Sequence, residues 1–241
     1  MSTAVCTGHA ALIVAHGAPL APGGPERVMR ALAVSVAALL PGWVVRGATL
    51  AAPGAIKAAL TDLPLGARLL VYPHFMADGW FTTDELPRRL GEAGAGMLDI
   101  LPAFGLDPAV QQLCLLRAGE AARAEKYPPG EAALLLAAHG SPSDPRPAAA
   151  ANAAVKFLNQ SGRFREVRAG FVDEAPYLGD AARIDGPAIC LPFFAGRAGH
   201  VEIDLSAALA EANFPGPMLA PIGADAAVPG IIAAALVASV A

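Results

Sequence analysis

Apolar and polar positions follow two alternating patterns along the chain. Short, continuous apolar runs bounded by glycine or proline are followed by longer alanine-rich segments with apolar positions at helical spacing. A continuous apolar run is typical of a parallel strand covered on both faces. The runs predict strands at 10–15, 44–48, 69–72, 97–101, 134–138, 167–172, 188–191 and 218–221, and the spacing predicts helices at 25–40, 83–93, 148–158 and 203–212. This order predicts an α/β fold built on doubly wound parallel sheets.

The pattern occurs twice. The segment ALIVAHGAP at 11–19 returns as LLLAAHGSP at 134–142, so that His16 matches His139. Pro53 and Pro176 match as well, and both pairs differ by 123 in residue number. A repeat of this length predicts two similar halves, 1–127 and 131–241, related by a pseudo-twofold axis.

Composition agrees with elements that are buried on more than one face. Charged residues make up 16% of the chain and hydrophobic residues 55%, against about 25% charged in an ordinary domain. The net charge of -4 argues against binding to nucleic acid or to an anionic membrane through bulk charge. The longest apolar stretches, 31–40 and 231–241, are shorter than the roughly 20 residues that span a bilayer. Three widely spaced cysteines and the absence of a basic residue before the first apolar run predict a cytoplasmic protein.

Two histidines of the second half follow predicted strands. His139 follows the first strand of that half, and His200 comes shortly after the third. Ligands of open α/β sheets bind at the carboxyl ends of the strands, so both side chains are predicted to face one cleft, with Glu202 nearby. Imidazole and carboxylate bind divalent metals, and imidazole also accepts protons near neutral pH. The alternative for each histidine taken alone is a structural role at a strand end.

The first half does not contain the same three residue types at the matching positions. His16 stands where His139 does, but Trp80 matches His200 and Thr82 matches Glu202. His74 follows a strand by one residue, and a packing role is favoured over ligation. Trp80 either fills the vacated pocket or offers an aromatic wall to a flat ligand. A complete site is therefore predicted in the second half.

The sequence resembles a known family at these residues. The strand-His-Gly starts, the segment PFFAGRAGHVEIDL at 192–205 and the duplicated α/β half are similar to the class II tetrapyrrole chelatases. Within these, the chain most resembles the CbiX/SirB-like sirohydrochlorin chelatases with two fused halves. The resemblance implies insertion of Co²⁺ or Fe²⁺ into sirohydrochlorin or a related tetrapyrrole, in cobalamin or siroheme biosynthesis. It also implies that His139, His200 and Glu202 bind the ion and help to remove pyrrole protons.

The resemblance extends to ligands and partners. Arg146 and Arg197 are candidates for binding the carboxylates on the rim of the tetrapyrrole. The divalent metal is a substrate, no obligatory cofactor is expected, and the chain is expected to be a monomer or a weak homodimer. The main rival is a noncatalytic metal or tetrapyrrole carrier of the same fold. A serine hydrolase is disfavoured because Ser141 lacks a Gly-x-Ser-x-Gly setting.

Overall fold

Strands and helices alternate along the chain, as the sequence predicts. A computed structural model describes residues 8–61, 63, 68–197 and 199–241, without the side chains of 199–202. The strands are β1 (Ala10–Ala15), β2 (Val44–Thr49), β3 (Leu69–Pro73), β4 (Leu98–Ile100), β5 (Ala133–Ala138), β6 (Glu166–Phe171) and β7 (Ala188–Pro192). The α-helices are α1 (Gly23–Ala38), α2 (Ala55–Thr61), α3 (Leu86–Glu92), α4 (Pro108–Ala124), α5 (Arg146–Gln160), α6 (Leu178–Ala181), α7 (Gly199–Glu211) and α8 (Val228–Ala238). A π-helix at Phe81–Glu85 leads into α3, and 3-10 turns lie at Phe104–Leu106 and Ile222–Ala224.

Two parallel sheets organise these elements. One has the strand order β2-β1-β3-β4 and the other β6-β5-β7. Every pairing is parallel, and Ala10 to Ala15 of β1 are in register with Val44 to Thr49 of β2. The predicted α/β class with two parallel-sheet halves is confirmed. In each sheet the chain leaves the first strand to one side and returns to pair on the other, so the strand order reverses beside β1 and beside β5.

The apolar runs form strands because both of their faces are covered. Residues 133 to 137 of β5 have no exposed surface, and successive residues of a strand point to opposite faces. On one face, Ala133, Leu135 and Ala137 pack in a cluster with residues of α6 and α7. The opposite faces of β5 and β7 are in contact with α5 and α4. An interior of this kind leaves the strand ends and their loops as the places for polar chemistry.

The chain forms two compact units that differ from the sequence repeat. One unit is Met1–Phe104 with Ala227–Ala241, and the other is Gly105–Ala226. The predicted division at 127–131 assigns α4 to the first half and α8 to the second. In the structure, α4 contacts β7 and α5 of the second unit, whereas α8 contacts α1 and β3 of the first. The last helix of each repeat thus completes the unit built on the other sheet.

The strand predicted at 218–221 is not formed. Met218 makes an isolated bridge with Cys190, where Cys190 donates its N–H to the Pro217 carbonyl and Leu219 donates to that of Cys190. Pro217 and Pro221 have no N–H to donate, so a longer ladder cannot form. Among the helices that the structure describes, none has the length and apolar character needed to cross a membrane.

Candidate active site

His139 stands directly after β5, where the chain makes a tight turn. The Val172 and Asp173 N–H groups both donate to the His139 carbonyl, at 3.1 and 3.0 Å. Gly140 follows with φ +72°, a conformation that glycine adopts without steric cost. A Cβ at this position would lie 2.8 Å from Oε1 of Glu174. The glycine therefore lets the loop after β6 approach the histidine closely.

The His139 ring is oriented by a carboxylate. Its Nδ1 lies 3.0 Å from Oδ2 of Asp173, and both side chains are about half exposed. An ionised carboxylate at this distance favours the proton on Nδ1, which keeps the lone pair on Nε2. Phe194 flanks the ring in an edge-on arrangement with 6.4 Å between centroids. A histidine held by a carboxylate in this way is the usual form of a metal-binding histidine.

Glu174 lies beside the same turn. Its Oε1 accepts a hydrogen bond from the Ser141 N–H at 2.7 Å. Sequence reasoning missed both Asp173 and Glu174, although the repeat contains a signal for them. The Ala51 N–H donates to the His16 carbonyl at 2.9 Å, as the Asp173 N–H does to that of His139. Ala51 therefore occupies the position of Asp173 in the first half, and its neighbours Leu50 and Ala52 carry no carboxylate.

The other predicted ligands belong to the start of α7. Positions 200 and 202 fall in its first turn, because the helix begins at Gly199. β7 pairs directly with β5, so α7 follows a strand that ends at the same edge of the sheet as His139. The side chains of His200 and Glu202 lie outside the described part of the protein, and their ligation stays a prediction. No group of three or more His, Cys, Asp and Glu side chains that suits a metal occurs among the side chains that are described.

The two predicted rim arginines have different surroundings. Arg197 lines a cleft of about 220 Å³ beyond the end of β7, together with Pro192, Met218, Leu219, Ala220 and Pro221. Arg146 is the first residue of α5, and its guanidinium donates to both carboxylate oxygens of Asp144 at 2.8 to 3.1 Å. Arg197 thus borders an opening beyond β7, and Arg146 is held by an acidic neighbour.

The three candidate residues of the first half, His16, His74 and Trp80, have different surroundings. The Nδ1 of His16 lies 2.9 Å from the Gly17 carbonyl oxygen, and Phe81 packs edge-on against the ring at 4.4 Å. His74 is buried, with its ring 4.7 Å from that of Phe104. Trp80 is 54% exposed, so it does not fill a vacated pocket.

Comparisons with solved structures identify the fold. SirB from Bacillus subtilis with Fe³⁺ is 16% identical, with 97% of this chain and 96% of that one covered and a TM-score of 0.80. The sirohydrochlorin chelatase SirB from Bacillus subtilis subspecies spizizenii, in complex with cobalt, is 15% identical, with 95% and 93% covered and a TM-score of 0.67. At these identities the likeness concerns the fold, which is that of the chelatases.

A nearer relative identifies the family. The structure of CbiX, the terminal enzyme for biosynthesis of siroheme in denitrifying bacteria, is 46% identical, with 97% of this chain and all of that chain covered and a TM-score of 0.87. The CbiX family model matches residues 133–238. A search among curated proteins gave no match. The chain belongs to the CbiX family, and its predicted class, a metal chelatase, is confirmed.

Proposed function

We propose that this enzyme inserts a divalent metal into sirohydrochlorin at a site built around His139 in the second half. The observation that carries the proposal is the contact of His139 Nδ1 with Asp173, which leaves Nε2 ready to bind an ion at the carboxyl end of β5. Glu174 adds a second carboxylate within the same turn. The first half has Ala51 at the position that matches Asp173, and neither neighbour of Ala51 is acidic. The 46% sequence identity with a CbiX of siroheme biosynthesis supports sirohydrochlorin as the substrate.

The site is suited to delivering an ion and not only to binding it. Insertion exchanges two pyrrole N–H protons for one dication, so the enzyme must give up the metal and collect protons. We assign His139, His200 and Glu202 to the incoming ion, with open positions for water and then for pyrrole nitrogen. Asp173 keeps the His139 ring in the ligating tautomer. Once Nε2 has released the ion, we assign one proton to the same nitrogen and the other to the Glu174 carboxylate beside the turn.

Arginines at the cleft are assigned to the rim of the substrate. Arg197 borders the opening beyond β7, where a guanidinium can bind a tetrapyrrole carboxylate in bidentate fashion. Arg146 is assigned the same role with less direct support, because substrate carboxylates must compete with Asp144 for it.

Iron is proposed as the physiological ion, with cobalt as an alternative substrate. The CbiX that shares 46% identity is described as an enzyme of siroheme biosynthesis, and siroheme contains iron. Imidazole and carboxylate ligands suit both Fe²⁺ and Co²⁺. Anaerobic assays in which the two ions compete at equal free concentration test this assignment, and faster incorporation of cobalt would contradict it.

The function is tested by following the absorbance of sirohydrochlorin with Co²⁺ or Fe²⁺ under anaerobic conditions. The wild-type protein is expected to accelerate metallation, and His139→Ala to lower the rate by about a hundredfold or more. His9→Ala is a matched control, because His9 stacks on Trp43 just before β1, at the opposite edge of its sheet. Equal rates for wild type and His139→Ala would refute the site. Spectral change without acceleration by the wild type would indicate a carrier.

A further inference from the structure

We propose that the first unit holds the metallated product, through an axial bond from Nε2 of His16 to the metal and stacking of the macrocycle on the aromatic side chains beside it. This inference rests on the proposed function, since it requires a metallated tetrapyrrole. His16 belongs to the half that lacks the carboxylates found beside His139.

The ligating nitrogen of His16 is defined by its hydrogen bond. Nδ1 lies 2.9 Å from the carbonyl oxygen of Gly17, and a carbonyl only accepts hydrogen bonds. Nδ1 therefore carries the proton, and Nε2 has the lone pair. The ring is steadied by the edge-on contact with Phe81 at 4.4 Å. β1 ends beside the point where the strand order reverses, which is where ligands of such sheets bind.

The surroundings of His16 are unsuited to a free dication. Ala51 stands where the second half has Asp173, and Leu50 and Ala52 beside it carry no carboxylate. Nearby, the Glu26 carboxylate is buried and already accepts hydrogen bonds from the Thr49 N–H, the Thr49 hydroxyl and Arg30. A free divalent ion needs several donors and a compensating charge.

A metal already inside a tetrapyrrole has different needs. Four ring nitrogens neutralise and surround it, so it lacks only axial ligands, and one neutral imidazole supplies one. The ring N–H groups of a metal-free macrocycle offer no such bond. His16 is therefore chemically matched to the product, and it distinguishes the product from both substrates.

Exposed aromatic side chains lie beside the His16 ring, which Phe81 contacts directly. Trp80 and Phe81 are 54% and 39% exposed, and their rings are 5.1 Å apart. Phe75 stacks on Phe81 at 6.5 Å. They follow β3, the strand that pairs with β1 on the side where the order reverses. The π-helix that starts at Phe81 is a rare element that often occurs at functional sites. Adjacent exposed aromatic faces suit a flat, largely apolar ring.

The axial bond is tested with the Co²⁺ complex of sirohydrochlorin, prepared without enzyme and added anaerobically to the intact protein. In electron paramagnetic resonance, a single axial imidazole splits each cobalt line into a triplet through its ¹⁴N nucleus, and into a doublet when the protein contains ¹⁵N-histidine. We expect this splitting in the wild type and in His139→Ala, and its loss in His16→Gln. Absence of splitting in the wild type, or its persistence in His16→Gln, would overturn the inference.

Affinities separate the axial bond from stacking. His16→Gln is expected to weaken binding of the cobalt complex by at least about tenfold, within the range typical of a disturbed metal contact, and to leave binding of metal-free sirohydrochlorin unchanged. Trp80→Ala is expected to weaken both. Equal losses for the two ligands in His16→Gln would indicate a merely structural effect and refute the axial bond.

These measurements use a complex made beforehand, so they do not depend on catalysis. A protein that shows the His16 signature without accelerating metallation would contradict the proposed function alone. An active enzyme without the signature would contradict this inference alone.

Discussion

At the scale of single residues, the two halves differ in what the Nδ1 of the histidine after their first strand contacts. In the second half the partner is the carboxylate of Asp173, and in the first it is the carbonyl of Gly17. The carboxylate adds negative charge that favours a bound dication, whereas the carbonyl fixes the tautomer without adding a charge. The same residue type thus has different chemistry in the two halves because of one neighbouring group.

Asp173→Asn tests this difference. The amide retains the size of the side chain but not its charge, so Co²⁺ affinity is expected to fall by about tenfold to a hundredfold, as measured by isothermal titration. Asp185→Asn is the matched control, since Asp185 is an exposed carboxylate just before β7, at the opposite edge of the same sheet. Equal Co²⁺ affinities for Asp173→Asn and the wild type would show that the contact has no part in binding.

The Glu85 carboxyl predicts a pH-dependent contribution to stability. Hydrogen bonds from Arg88 and then Arg89 hold the pKa of Glu85 below its usual value. Because the pKa is lower in the folded state, the stabilisation is present above the unfolded pKa and is lost as the pH falls through the folded one. Glu85→Gln should therefore lower the free energy of unfolding at pH 7, and the deficit should shrink below about pH 4.

Urea denaturation of the wild type and of Glu85→Gln over this pH range measures the effect. Arg89→Met, which removes one of the donors, should show a similar but smaller pH-dependent deficit. A deficit of constant size at every pH would assign the effect to packing and not to ionisation.

The two carboxylates beside His139 were not predicted from the sequence, although the histidine was. His139 was found because the repeat aligns it with His16 and because it follows an apolar run. Asp173 and Glu174 lie in a loop, where acidic residues are usually solvated, and nothing local distinguishes them. Only the parallel pairing of β5 with β6 brings that loop against the histidine.

At the scale of elements, the apolar runs predicted the strands well because a fully buried strand leaves a continuous trace in the sequence. The prediction of a strand at 10–15 coincides with β1, and that at 188–191 with most of β7. Helices α2, α4, α6 and α8 were not predicted. The strand expected at 218–221 is reduced to one bridge by its prolines, and the helix expected at 83–93 is divided into a π-helix and α3.

The tight turn after β5 gives a prediction at this scale. Gly140 and Gly162 both have positive φ, but a Cβ at 140 would meet Glu174, whereas one at 162 has no neighbour within 4 Å. Both Gly140→Ala and Gly162→Ala should lower the free energy of unfolding by about 1–2 kcal/mol through the backbone. Only Gly140→Ala should also slow metallation, by about tenfold. Equal metallation rates for the two variants would show that the position of Glu174 is unimportant.

At the scale of the whole molecule, the chain order and the compact units differ. α8 is the last helix in the sequence, yet it belongs to the unit that contains β1 to β4. Its buried residues Val228, Ile232 and Leu236 contribute to that unit's interior. The sequence repeat could not reveal this exchange, because an apolar helix face does not specify which sheet it covers.

Ile232→Ala tests the assignment of α8. Ile232 is fully buried, so the substitution should cost about 2–4 kcal/mol. Amide hydrogen exchange should become faster in β1 and β3 and remain unchanged in β5 and β7. Val237→Ala is the control, because Val237 lies on the exposed side of the same helix. Faster exchange confined to β5 and β7 would contradict the assignment.

The central claim is that only the second half delivers the metal, and locating a bound ion tests it most directly. Crystals of the protein soaked with Co²⁺ in the absence of tetrapyrrole allow the ion to be found from its anomalous scattering. The account predicts a peak at about 2.0–2.2 Å from Nε2 of His139 and none at His16. A peak at His16, or an empty site at His139 under saturating Co²⁺, would contradict it.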